Sequence, residues 1–273
     1  MTPLSQLPLL VVPGIQGHWE WMRPALAALR QTSGLAGYTP THDGTVLTFS
    51  LNEENGTGDP FAQWDARIDA LIDQFDQSGA GRVVLVGVSF GGLVAARYAA
   101  HHPDRVGALI LVSSPSPRKA LGTAEQQSLR HPIATLPLFA WRGARRLLPE
   151  VLAARPSWGS RLSFLSSYLW QVLRRPIAPA RMARWVRAWQ SMDIGRDCAL
   201  ITVPTHLIMG ERHLDRVVPV DSTLDYQALI PGSSVATLRE TGHIGLVSRP
   251  DAFSILIHEF VHAVDDSRSR RSA

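Results

Sequence analysis

The sequence is poor in several features that would point to particular functions. Its 273 residues contain one cysteine, Cys198, which excludes an intramolecular disulfide and a cysteine-based zinc site. A reducing compartment is the default location for such a chain, so we expect a cytoplasmic protein. The longest apolar run, Ile133 to Trp141, is interrupted by Thr135 and Pro137 and is too short to span a bilayer. The first ten residues show no signal-peptide pattern, and we expect no stable membrane insertion.

Lysine is almost absent, and the charge is unevenly distributed. Lys119 is the one lysine among 27 basic residues. Residues 116–196 hold it and 13 arginines against Glu125, Glu150 and Asp193, a net charge of +11, which leaves −7 for the rest of the chain. The high sequence pI, near 9.8, therefore comes from the excess of basic residues in 116–196, because the rest of the chain is acidic. Because no motif that reads nucleic acid accompanies this charge, we expect no nucleic-acid partner.

Short apolar segments alternate with helical patterns along most of the chain. Strands are predicted at residues 7–12, 45–49, 82–87, 106–112, 203–209 and 234–239. Helices are predicted at residues 64–75, 89–101 and 250–264. Nearly continuous apolar strands separated by helices predict an α/β fold with a mostly parallel central sheet flanked by helices.

The alternation stops after Val112. Residues 116–196 show no strand pattern but two apolar stripes at helical spacing, from Leu162 to Leu173 and from Met182 to Trp189. We therefore predict an all-helical cap insertion at 116–196. The core domain is predicted at 1–115 and 197–264, with a flexible tail at 265–273.

Arginine and tryptophan are concentrated in this predicted cap. Arg181, Arg184 and Arg187 fall on the helix face opposite the second stripe, where they could steer an acidic partner. Five of the eight tryptophans also lie in the cap, and packing is the simpler role for most of them. They are Trp141, Trp158, Trp170, Trp185 and Trp189.

The residues most informative about chemistry are Gly87, Val88, Ser89, Phe90 and Gly91, between a predicted strand and a predicted helix. A serine on a tight strand-to-helix turn projects from the top of the sheet. Glycine is needed on both sides, since a Cβ at either position would collide with neighbouring backbone. This pattern predicts that Ser89 is a nucleophile.

The stretches from Ser89 to Ala95, His102 to Val106 and Ala108 to Val112 resemble the elbow, helix and following strand of the α/β-hydrolase family. The resemblance covers nearly the whole chain and implies that fold, with a capped, esterase-like serine hydrolase activity. The activity that the resemblance implies requires no cofactor and no metal. A serine at the elbow argues against the dehalogenase and epoxide-hydrolase branches, which use aspartate there.

The resemblance implies a triad in the chain order serine, acid, histidine. His243 follows the last predicted strand in a Gly-His turn and is the predicted general base. Asp215 is the favoured acid because the Val-Val-Pro that follows matches the family register, although the spacer before it is two residues longer than usual. Glu211 is the main competitor.

The resemblance also implies an oxyanion hole made by two backbone N–H groups. Phe90, directly after the nucleophile, is expected to supply one. Ile15, in the loop after the first strand, is expected to supply the other, although Pro13 replaces the histidine that often stands there. A Pro-Gly turn with no ligand role is the alternative for this loop.

The leading functional hypothesis is hydrolysis of a carboxylic ester with an apolar acyl or alkyl part, through an acyl-enzyme. An alternative is a hydrolase of an ester or thioester carried on an acidic acyl carrier protein that docks on the basic cap, because the elbow region also resembles such a carrier-linked methyl esterase. A third possibility is a ligand receptor with little turnover. Relatives with the same triad cleave lactones, thioesters or C–C bonds, which leaves the scissile bond open.

Overall fold

The computed structural model describes residues 2–31, 46–75, 79–154, 157–175 and 177–272. Its strands are β1 (Leu9–Val12), β2 (Val46–Thr48), β3 (Val83–Val88), β4 (Val106–Val112), β5 (Thr205–Met209) and β6 (Ser234–Thr237). They form one parallel sheet in the order β2-β1-β3-β4-β5-β6. All six predicted strands are found, and Thr45, at the edge of the second, lies outside the described residues.

Helices cover both faces of this sheet. Outside the insertion they are α1 (Arg23–Gln31), α2 (Pro60–Phe75), α3 (Phe90–His101), α9 (Val220–Leu229), α10 (Gly245–Ser248) and α11 (Pro250–Ser272). Every residue of β1, β3, β4 and β5 is buried, as in a doubly covered parallel sheet. The predicted α/β architecture is confirmed.

Alternate residues of β1 serve the two faces. Leu10 and Val12 join the core cluster that contains α2 and α3, whereas Leu9 and Val11 join the cluster that contains α1 and α11. This period of two follows from the pleat of a strand, because successive side chains point to opposite faces. The apolar residues of β1 therefore contribute to two separate hydrophobic clusters, one on each face of the sheet.

The segment predicted to be a cap, residues 116–196, lies between β4 and β5 and is called the insertion below. It contains α4 (Thr123–Arg130), α5 (Leu136–Ala154), α6 (Trp158–Arg174) and α7 (Pro179–Gln190), and α8 (Ile194–Cys198) begins within it and ends two residues after it. The two predicted stripes correspond to α6 and α7. Helices α4 and α5 were not predicted individually. Helix α4 buries no residue, and α5 buries only Glu150, Val151 and Ala154.

Helix α7 attaches the insertion to the core through Glu54. Arg184 forms a salt bridge with this buried carboxylate, and Arg181 Nε lies 3.6 Å from its Oε1. Trp185 Nε1 donates a hydrogen bond of 3.3 Å to the same oxygen. Three side chains of one helix therefore converge on a single acid of the core.

The arginines that could steer an acidic partner also make contacts within the chain. Besides its contact with Glu54, Arg181 Nη1 donates to the backbone oxygen of Asn52 at 2.9 Å. Arg187 donates to the backbone oxygen of Leu129, within the insertion. These contacts hold all three guanidinium groups within the chain, and Arg187 is still exposed to solvent.

The carboxyl-terminal helix is longer than predicted. Helix α11 continues past residue 264 to Ser272, where a flexible tail was expected. The Asp265 carboxylate accepts hydrogen bonds from the backbone N–H groups of Leu4 at 2.7 Å and Ser5 at 2.9 Å, which holds the helix against the amino terminus. Across the described ranges, no helix is long and apolar enough to cross a bilayer.

Candidate active site

Ser89 lies on a sharp turn between β3 and α3. Its φ of 52° and ψ of −122° fall in a region that non-glycine residues rarely adopt. Backbone hydrogen bonds of 2.8 Å hold the turn on both sides, from Ser89 N to Val112 O and from Gly92 N to Ser89 O. A strained turn of this kind projects the serine side chain beyond the carboxyl edge of the sheet, as in a nucleophile elbow.

The two glycines that flank this turn are required by close packing, as predicted. A Cβ at Gly87 would lie 2.6 Å from the backbone oxygen of Gly91 and 2.7 Å from the Cβ of Ala95. A Cβ at Gly91 would lie 2.4 Å from the backbone oxygen of Val12. Any side chain at either position would therefore displace backbone and move Ser89.

The loop after β1 lies against the serine. A Cβ built on Gly14 would be 3.3 Å from Ser89 Cβ and 3.8 Å from Ser89 Oγ. Ile15 follows Gly14 in this loop, and Phe90 is the first residue of α3, where backbone N–H groups have no partner in the preceding turn. Both predicted oxyanion donors thus belong to segments that border Ser89.

His243 and Asp215 meet on neighbouring loops after β6 and β5. His243 Nδ1 lies 3.6 Å from Asp215 Oδ2, and the Asp215 side chain is only 1% exposed. Asp215 Oδ1 accepts hydrogen bonds from the backbone N–H groups of Val217 and Val218, at 3.2 and 3.0 Å. These bonds orient the carboxylate so that Oδ2 faces the imidazole. A carboxylate in this position can fix the ring tautomer and stabilise the imidazolium.

Glu211, the competing acid, points elsewhere. Its Oε1 accepts a hydrogen bond of 2.9 Å from the backbone N–H of Glu240, and its Oε2 lies 3.6 Å from His213 Nδ1. The extra residues of this loop therefore pair with each other and with the turn after β6. The geometry favours Asp215 as the partner of His243.

A second buried carboxylate, Glu150 of α5, reaches the same loop from the insertion. Its Oε1 and Oε2 accept hydrogen bonds from Ile244 N at 3.1 and 3.0 Å, directly after His243. Burial raises the pKa of Glu150, and the nearby Asp215 charge acts in the same direction. The N–H groups of Ile244 and Gly242 and the proximity of His243 oppose that rise. Glu150 thus connects the insertion to both backbone neighbours of His243.

An apolar cavity of about 420 Å³ lies between α5, α6 and the loop of His243. Its lining includes Trp141, Leu148, Val151, Phe164, Leu165 and Ile244. Ile244 is common to the cavity wall and to the Glu150 contact, so the cavity borders the segment that carries His243. Its apolar walls suit a hydrocarbon group better than a charged one.

A family model described as "Alpha/beta hydrolase family" matches residues 9–254. The chain belongs to the alpha/beta hydrolase family. Hydrolase chemistry is the activity that this membership and the names of its relatives support.

Two curated relatives of this hydrolase show how diverse that chemistry is. It is 28% identical over 206 residues to a "Pimeloyl-[acyl-carrier protein] methyl ester esterase" of Aliivibrio salmonicida, covering 74% of this chain and 77% of that protein. It is 27% identical over 209 residues to a "2-hydroxy-6-oxo-2,4-heptadienoate hydrolase" of Pseudomonas putida, covering 74% and 70%. A bromoperoxidase structure from Bacillus anthracis, 20% identical, superposes with a TM-score of 0.70 over 94% of this chain and 92% of that one.

The tryptophans of the hydrolase's insertion divide into two groups. Trp185 stacks on Phe90 with ring centroids 6.5 Å apart, and Trp189 meets the same ring edge-on at 6.3 Å. Both are buried and pack the insertion onto the elbow. Trp141, Trp158 and Trp170 are instead 58%, 76% and 55% exposed. Only two of the five tryptophans are buried, so the expectation that packing is the role of most of them is wrong.

Sequence reasoning missed Glu150. Its one visible signal is that it is the single acidic residue between 131 and 175, a stretch with seven arginines. Among the residues that the structure describes, no cluster of three or more histidine, cysteine, aspartate or glutamate side chains is placed to hold a metal ion.

Proposed function

We propose that this hydrolase cleaves carboxylic esters with an apolar acyl or alkyl part, with Ser89 as nucleophile. The observation that carries the proposal is that two features follow the carboxyl ends of strands in one parallel sheet. Ser89 occupies a strained elbow after β3, and the His243–Asp215 pair follows β6 and β5 of the same parallel sheet. Serine needs such a pair because its hydroxyl is a weak nucleophile until a base accepts its proton.

The proposed reaction has two acyl-transfer steps. Ser89 Oγ attacks the ester carbonyl carbon while His243 accepts the serine proton, and the N–H groups of Ile15 and Phe90 stabilise the resulting oxyanion. The intermediate collapses, and the alcohol leaves with the proton from His243. Water then attacks the acyl-enzyme, again with His243 as base, and the second intermediate releases the carboxylic acid as His243 returns the proton to Ser89 Oγ. Asp215 orients the imidazole and stabilises its charged form throughout.

The preference for an apolar substrate rests on the cavity beside Ile244. Trp141, Leu148, Phe164 and Leu165 form walls that bury hydrocarbon favourably. Its volume of about 420 Å³ is within the range of small-molecule sites.

A carrier-linked ester is the second candidate substrate. The esterase from Aliivibrio salmonicida is named for a pimeloyl group on acyl carrier protein, and the insertion has a net charge of +11, which would attract an acidic carrier. Because Arg181, Arg184 and Arg187 already make contacts within the chain, we expect such a carrier to meet the arginines of α5 and α6.

A panel of substrates tests both candidates. Short and medium chromogenic esters, a thioester and a carrier-linked methyl ester are assayed with the wild type, Ser89→Ala and the control Ser128→Ala on α4. We expect Ser89→Ala to lose at least about 10³-fold in kcat on every substrate that the wild type turns over, because the nucleophile is removed. Ser128→Ala should match the wild type.

Three results would change the proposal. Equal rates for Ser89→Ala and the wild type would exclude Ser89 as nucleophile. Turnover of the carrier-linked ester alone would select the carrier candidate. Binding of panel members with no turnover would favour a ligand receptor on the same fold.

A further inference from the structure

Helices α5 and α6, together with Ile133 just before them, expose an unusual number of large apolar side chains. Trp158, Leu173 and Leu162 are 76%, 68% and 64% exposed. Within the described ranges, eleven of the thirteen exposed large hydrophobic residues lie between 133 and 173. They are Ile133, Leu138, Phe139, Trp141, Leu148, Leu152, Trp158, Leu162, Leu165, Trp170 and Leu173. Exposed apolar residues that occur singly over a surface are normal, but a concentration of them in one region is typical of an interaction surface.

Members of this set form an exposed apolar stripe on each of the two helices. Trp158, Leu162 and Leu165 are spaced by four and three residues along α6, and Leu148 and Leu152 by four along α5, so each set lies on one side of its helix. Trp141, Leu148 and Leu165 line the same cavity, which places the two stripes side by side. Arg161 Nη2 also donates to the backbone oxygen of Leu152 at 3.2 Å, joining α6 to α5. We call this surface the α5–α6 face.

The charge of the α5–α6 face has one sign. Residues 131–175 contain seven arginines and one acid, and that acid, Glu150, is buried against Ile244. Three exposed tryptophans each carry a guanidinium over the ring: Arg145 over Trp141 at 5.5 Å, Arg161 over Trp158 at 5.4 Å and Arg174 over Trp170 at 4.3 Å. Indole rings paired with arginine suit a boundary between hydrocarbon and anionic headgroups, where each side chain keeps its polar end in water.

We propose that the α5–α6 face docks on the surface of an anionic phospholipid bilayer. The two helices lie in the headgroup plane, with their tryptophan and leucine side chains among the acyl chains and their arginines at the phosphates. A second copy of this chain fits the face less well, because two surfaces with arginine and no exposed acid would repel each other. The α5–α6 face shares Trp141, Leu148 and Leu165 with the cavity that the proposed esterase reaction uses, so docking is tested by binding alone, with substitutions of apolar residues outside that cavity lining.

Vesicle flotation of the full-length chain tests the apolar part. Vesicles of phosphatidylcholine with phosphatidylglycerol should carry the protein to the top of the gradient, and vesicles of phosphatidylcholine alone should carry much less. The double variant Trp158→Ala/Leu162→Ala should partition at least about tenfold less, since two exposed side chains lose their burial in the bilayer. Leu200→Ala, a 57% exposed leucine outside the face, is the matched control and should bind like the wild type. Circular dichroism establishes that both variants remain folded.

The charge part has its own variants. Arg145→Gln and Arg161→Gln should each weaken binding to the phosphatidylglycerol vesicles by about fivefold and leave the weak binding to neutral vesicles unchanged. Arg239→Gln, at an exposed position after β6, should change neither. Added salt should reduce the difference between the two kinds of vesicle.

Absence of binding to the anionic vesicles at low salt would overturn the proposal. So would equal binding by the wild type and the Trp158/Leu162 variant. Concentration-dependent dimers in light scattering that this variant abolishes, with no vesicle binding, would assign the face to a second copy. Binding of an acidic acyl carrier protein that the same variant abolishes, again without vesicle binding, would assign it to a protein partner.

Discussion

Asp215 and Glu211 occupy one loop and have different surroundings. Asp215 is buried, accepts two backbone hydrogen bonds and faces His243, whereas Glu211 pairs with the backbone of Glu240 and with His213. Two carboxylates four residues apart thus have different hydrogen-bond partners. In the sequence, only the Val-Val-Pro that follows Asp215 distinguishes the two acids, and these hydrogen bonds are not visible there.

Substitution separates the two acids. Asp215→Asn should lower kcat by about 10⁴-fold on any ester that the wild type cleaves, because the amide can no longer stabilise the imidazolium or hold its tautomer. Glu211→Gln, the matched control on the same loop, should keep kcat within about threefold of the wild type, since its partners are outside the reacting groups. Steady-state kinetics decides, and a larger loss in Glu211→Gln would reverse the assignment.

At the scale of elements, the insertion meets the core through two buried carboxylates. Glu54 of the core receives Arg184, Arg181 and Trp185 from α7. Glu150 of α5 receives only neutral donors from the loop of His243. Burial raises the pKa of both, but hydrogen bonds from Arg184, the Gly56 N–H and Trp185 leave that of Glu54 lowered overall. The contact at Glu54 is therefore an ion pair, whereas the contact at Glu150 is made by hydrogen bonds from uncharged donors.

The ion pair should matter for the attachment of α7. Glu54→Gln should reduce the free energy of unfolding by about 2 kcal/mol, because it leaves the partly buried Arg184 without its counter-ion. Glu53→Gln is the neighbouring control: its salt bridge to Arg67 joins two side chains that are 45% and 43% exposed, and its loss should change stability by less than about 0.5 kcal/mol. Urea unfolding measures both, and equal effects would show that Glu54 contributes no more than a surface pair.

Prediction from sequence succeeded where the determinants are local. Strand bounds agree within two residues, and the flanking glycines at 87 and 91 were identified because a short turn allows no side chain there. It failed where the determinants are distant in sequence. Glu150 and Ile244 are 94 residues apart, and no pattern along α5 indicates which loop its acid meets. Similarly, the hydrogen bonds from Leu4 and Ser5 that extend order to Asp265 join opposite ends of the chain.

At the scale of the whole molecule, Glu150 links pH to global stability. Because burial raises its pKa above 4.5, the folded protein binds this proton more tightly than the unfolded chain does. The resulting stabilisation is present at low pH and is lost as pH rises through 4.5 and then through the raised value.

Thermal unfolding across pH can isolate this titration. Glu150→Gln removes the titrating group. The Tm of this variant should therefore rise relative to the wild-type Tm as pH increases through the same range. Glu259→Gln, at an exposed position on α11, is the control and should follow the wild-type curve. Parallel curves for Glu150→Gln and the wild type would show that Glu150 titrates normally in the fold.

The insertion also has a topological consequence. It interrupts the chain between β4 and β5, yet these strands are adjacent in the sheet, with Leu109 opposite Thr205 and Val112 opposite Ile208. The entropy of closing a loop grows only with the logarithm of its length, so halving or doubling the length of this segment changes the closure term by only about 0.6 kcal/mol. The connection between β4 and β5 can therefore vary in length and surface composition while the strand order of the sheet stays the same.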